Sequence, residues 1–154
     1  MKKLNITLIG LHLISAILFI WAFNQLFWLY DTDLMQEYLE NGVASTNLFG
    51  EEKLMNLLIA QAIASLIGLL LSFLVSLTIV VKNKKGFINS VIVLVLALLL
   101  NRFELLNSDI IKQIITFPGK ALFDSFIWTT LSNAIILILI SLWIQFSKLT
   151  NKMI

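Results

Sequence analysis

The chain has 154 residues, 59% of them hydrophobic and 13% charged, whereas an average soluble domain is roughly 25% charged. A net charge of +2 is too small to mark a nucleic-acid binder, and with no cysteine and one histidine the chain has no disulfide, iron–sulfur, thiol or bis-histidine haem chemistry open to it. No cofactor or metal site is expected.

In chain order, the first apolar run covers about 4–30. It follows Lys2 and Lys3, is too long for the apolar region of a signal peptide and closes on no small-x-small cleavage site, so it reads as a retained span. Trp28 and Tyr30 are placed to anchor it at the outer headgroups. An outer loop at 31–53 follows. Within it Leu34, Met35, Tyr38 and Leu39 share one helical face, with Asp31 or Thr32 as the cap and Asn41-Gly42 as the stop. The second span is read at 54–81 and the third at 86–106, joined by the lysine-rich turn 82–85, which makes the two antiparallel neighbours. A second outer loop, 107–120, carries Ser108 as a cap and an amphipathic stretch with Ile110, Ile111, Ile114 and Ile115 on one side, ended by Pro118-Gly119. The fourth span covers 121–148, with Trp128 toward the outer interface and Trp143 toward the inner one.

Charge sets the direction of these crossings. Lys2, Lys3, Lys82, Lys84, Lys85, Lys148 and Lys152 fall on one side, while all nine acidic residues fall on the other. Short loops rich in lysine are retained in the cytoplasm, so both chain ends are expected there. The fold class expected is all-α: a polytopic four-helix membrane bundle forming one domain over 1–154, with two short amphipathic segments on the outer side. The location expected is a bacterial cytoplasmic (inner) membrane. Lysine, asparagine and isoleucine usage of the AT-rich bacterial kind supports that source by association alone.

Two groups of residues stand out inside the spans. On the second span Ala60, Ala64, Gly68, Ser72 and Ser76 recur every four residues. Apolar burial drives little association in lipid, and helices meet where small side chains let backbones approach, so this ladder is either an internal packing groove or a face for a partner. In the outer half, Arg102, Glu104, Asp124, Gln61 and Asn133 form a polar set and are the candidates for binding a ligand or lipid, since intramembrane polar groups face a bundle interior or a wet cavity. Arg102 is the only arginine and suits bidentate binding of phosphate or carboxylate. His12 has no acid at its depth, and the expectation is a bond across helices to a hydroxyl or amide.

In having four spans, with both ends inside and aspartates near the outer face, the chain resembles lipoprotein signal peptidase. That family carries Asn-x-x-Asp-Arg and Asn-x-Ala-Asp blocks; here Asp124 stands in Phe-Asp-Ser-Phe, and Asp31 and Asp33 in Tyr-Asp-Thr-Asp. Topology alone transfers no function, which leaves a membrane aspartyl enzyme third among the readings. The first is a non-catalytic accessory or scaffold subunit of a larger membrane or envelope complex, in contact with lipids and a protein partner. The second is a small transporter or lipid-handling protein with an outward-facing polar cavity.

Overall fold

A computed structural model describes residues 5–42, 46–80, 86–103, 109–148 and 150. Lys2, Lys3, the lysine turn at 82–85, Glu104, Ser108 and Lys152 lie outside the described residues. The described residues are all-helical with no strand: α1 (Ile6–Trp28), α2 (Thr32–Asn41), α3 (Thr46–Phe49), α4 (Glu51–Val80), α5 (Gly86–Arg102), α6 (Asp109–Leu122) and α7 (Phe126–Phe146). Among them three helices are long and apolar enough to cross a membrane, Ile6–Trp28, Glu51–Thr78 and Phe126–Phe146. The 17 residues of α5 are apolar but fall short of that length. At 1.5 Å per residue they reach about 25 Å, against a hydrocarbon core of about 30 Å.

Helix α1 is the centre of the molecule, with α7, α4 and α5 packed around it. Asn5 starts it by accepting the Leu8 N–H on its side chain at 3.1 Å, which satisfies one of the free donors of the first turn. One core cluster joins Ala16 and Ile20 of α1 to Leu69 of α4 and Val93 and Ala97 of α5. A second joins Trp21, Ala22 and Trp28 to Leu34 and Met35 of α2, Leu54 and Leu57 of α4, Ile115 of α6 and Leu137 of α7. Helix α2 is thus held on the bundle by Leu34 and Met35 with Tyr38 packed beside them, while Leu39 of the expected face stays exposed. Asp31 caps it by accepting the Leu34 N–H at 3.1 Å, and Gly42 ends it at φ 59° and ψ −134°, a positive-φ conformation open to glycine.

The small-residue ladder of α4 is turned inward. A side chain on Gly68 would place its Cβ 2.7 Å from the Phe19 carbonyl oxygen and 3.0 Å from the Ile20 Cα, so only glycine allows the α1 and α4 backbones this close. Ala64, Ser72 and Ser76 are buried beside it and Ala60 is half-buried.

Three expectations need correction. Trp28 is 8% exposed and belongs to the core, leaving Tyr30 as the exposed aromatic at that end of α1. The amphipathic stretch is not stopped by Pro118-Gly119: α6 continues through both residues to Leu122, and the chain breaks instead at 123–125. The helix expected to form the fourth span therefore begins at Phe126 rather than at 121. Helix α6 runs back antiparallel along α7, with Gly119 against Thr129 and Asn133 and with Ile111 and Ile115 in the cluster that holds Leu137 and Ile138. Proline removes one helical donor, but the next N–H, that of Gly119, is also taken by the Asn133 side chain at 3.3 Å. The missing Cβ of Gly119 lets the helix seat on the α7 backbone.

Candidate functional site

The interior holds an unusual number of polar side chains, and their partners decide what they can do. Toward the end where α1 begins and α7 finishes, Ser15 of α1 and Ser141 of α7 meet with hydroxyls 2.6 Å apart. Each hydroxyl also reaches the other residue's carbonyl, Ser15 Oγ to Ser141 O at 3.2 Å and Ser141 Oγ to Ser15 O at 2.9 Å. Gln145, one turn further along α7, donates from Nε2 to Ser15 Oγ at 2.7 Å and to Ser72 Oγ of α4 at 3.2 Å. Beside this group, His12 Nδ1 lies 3.2 Å from Ser76 Oγ, which in turn is 2.6 Å from Ser90 Oγ of α5. The expected cross-helix bond of His12 is therefore present. All seven of these residues are buried.

A histidine bonded to a serine invites comparison with a nucleophile and its base. The cavity lined by His12, Ser72, Ser76 and Ser90 measures about 10 Å³, which is about the space one water takes. That space is too small for an acyl or phosphoryl group beside Ser76, and the pair ties α1 to α4.

Toward the other end, Asn133 of α7 is buried and donates from Nδ2 to Gln25 Oε1 of α1 at 2.6 Å, while its Oδ1 accepts the Gly119 N–H. One side chain thus fastens α1, α6 and α7. Nearby, Ser65 donates to Asn24 Oδ1 at 3.1 Å, and Gln61 donates to the Met35 sulfur at 3.3 Å. Buried atoms with no partner among the described residues are His12 Nε2, Trp21 Nε1, Gln25 Nε2 and Gln145 Oε1.

The largest opening described is a cleft of about 560 Å³ between α2 and the bend joining α6 to α7, lined by Gln36, Leu39, Glu40, Lys120, Phe123, Asp124, Phe126 and Thr129. Its charges are of both signs. The bend is held by Thr129, whose hydroxyl donates to the Phe123 carbonyl at 2.6 Å, and Phe123 stacks at a tilt on Trp128 with centroids 6.4 Å apart.

The described members of the polar set expected from the sequence, Asp124, Gln61 and Asn133, sit in separate surroundings. Asp124 lines the cleft and is exposed; Gln61 sits against Met35; Asn133 is sealed between Gln25 and Gly119. Arg102 ends α5, and its side chain, like the whole of Glu104, lies outside the described residues. Sequence reasoning placed Gln25 near the outer polar set but missed Ser141 and Gln145. The four-residue step from Ser141 to Gln145 on an apolar span was the available sign, being the same kind of ladder as on α4. Among the described residues no three His, Asp or Glu side chains converge as metal ligands would. No family model, curated protein or solved structure matches the chain.

Proposed function

We propose that the chain crosses a bacterial inner membrane four times with both ends in the cytoplasm, and serves there as a non-catalytic accessory or scaffold subunit of a larger membrane or envelope complex. The observation that carries this reading is how the interior polar groups are used. His12, Ser15, Ser72, Ser76, Ser90, Asn133, Ser141 and Gln145 are bonded to one another or to Gln25 across helices, so that among the described residues the interior polar groups are spent on tying helices together. Among the accessible surfaces is the outer cleft, where aromatic and charged groups lie side by side as they do at protein contacts. A partner reaching over the outer surface meets Lys120, Glu40 and Asp124 together with the apolar Leu39 and Phe123. The α4 ladder has no share in that contact, because α1 occupies it.

Transport or lipid handling gains some support from the size of the same cleft, which suits a small ligand. Against it, Asn133, one turn beyond Thr129, is buried and committed to Gln25 and Gly119, so the cleft has no polar continuation toward the middle of the bundle. Reversing charge in the cleft separates the two. With Lys120→Glu, a subunit loses its partner in gentle extraction while its own fold is unchanged; a transporter loses flux with its assembly state unchanged.

A further inference from the structure

We infer that the cavity beside His12 is a binding site for one water molecule, which completes a hydrogen-bonded layer across α1, α4, α5 and α7. Two hydrogen-bonded chains stop short of each other here: His12–Ser76–Ser90 on α1, α4 and α5, and Ser141–Ser15–Gln145–Ser72 on α7, α1 and α4. Ser72 belongs to the second chain and lines the cavity together with all three members of the first. His12 is 1% exposed and its Nε2 has no partner among the described residues. An unpaired buried polar atom costs about 1–3 kcal/mol, so a cavity beside it is filled by whatever small polar species fits.

Size and chemistry choose the species. At about 10 Å³ the space matches the roughly 10–15 Å³ that one water needs and is too small for a hydrated ion or an organic ligand. The polar groups of the lining are three hydroxyls and an imidazole, set among the apolar Ala16, Leu69, Phe73, Val93 and Leu94, with no carboxylate to neutralise a bare cation. Water can serve His12 Nε2 in either tautomer, as donor or as acceptor. With Ser72 as its other partner it joins the two chains, so that His12 and Gln145 belong to one network.

The chain has a single histidine, so labelling that residue with nitrogen-15 gives a magnetic-resonance spectrum containing one imidazole. The full chain in lipid bilayers is examined by solid-state water-edited transfer, in which only water in contact with the ring passes magnetisation to it at short mixing times. The expected result is transfer to the ring of His12, and its loss in Ala16→Val, whose added methyls fill the cavity wall. Val93→Leu fills the same space from α5 and serves if the first variant does not fold. A wild-type ring that receives no magnetisation overturns the inference. So does transfer that persists undiminished in a folded cavity-filling variant.

Discussion

Replacing Gly68 by alanine tests the close approach of α1 and α4. The new Cβ falls 2.7 Å from the Phe19 carbonyl oxygen and 3.0 Å from the Ile20 Cα, both backbone atoms that no rotamer change can move aside. Reaching an ordinary separation of about 3.4 Å requires α1 and α4 to part by about 0.7 Å, and a gap of that size forfeits roughly a quarter to a half of the dispersion attraction between facing atoms. Overpacking of this kind costs about 1–3 kcal/mol. Alanine also raises helix propensity over glycine by up to about 1 kcal/mol, which partly hides the effect. Gly10→Ala removes that ambiguity, because nothing lies within 4 Å of a Cβ at Gly10. The difference between the two variants isolates the clash. Unfolding in mixed micelles by titration with a denaturing detergent, followed by tryptophan fluorescence, suits the chain because Trp21 and Trp28 are buried. Gly68→Ala is expected to be less stable than Gly10→Ala by about 1–3 kcal/mol. Equal stabilities would refute the close approach of α1 and α4.

Ser15→Ala removes the hydroxyl shared by Ser141 and Gln145 and is expected to lower stability by about 0.6–1.7 kcal/mol, the range measured for interhelical bonds in membranes; a more stable variant in the same titration contradicts the network. Asn133→Ala takes the side-chain acceptor from Gly119 and the donor from Gln25, so amide hydrogen exchange should quicken over 115–123 with little change in α4 and α5. Orientation is open to direct test because the chain has no cysteine. A membrane-impermeant maleimide should label Asp124→Cys in intact cells and Lys84→Cys only after the membrane is opened; labelling of both from the outside contradicts the four-span arrangement.

Much of the fold was legible because lipid imposes strong rules on sequence. Apolar runs gave the long helices to within a few residues, as in α1 and α4, and the Asp31 cap of α2 followed from local chemistry that needs no tertiary information. The spacing of Ala64, Gly68, Ser72 and Ser76 announced a close contact but not with which helix; α1 is the answer. What escaped depends on partners distant in sequence. Helix α6 passes Pro118 because Asn133, fourteen positions beyond Gly119, supplies an acceptor and Gly119 supplies room. Trp28 looked like an interfacial anchor because depth along a span is readable and rotation about its axis is not; α2 folds back over it and buries it. The same gap scattered the outer polar set. Gln61 and Asn133 sit on different helices with separate partners, Met35 and Gln25, and neither lines the cleft that holds Asp124.

The most direct test of the subunit reading is native mass spectrometry of the protein extracted gently from its own membrane, in the wild type and in Lys120→Glu. The account predicts a foreign chain present in stoichiometric amount with the wild type and lost with the variant. A wild-type protein that leaves the membrane alone or as a homodimer, carrying a lipid or small molecule, would contradict it.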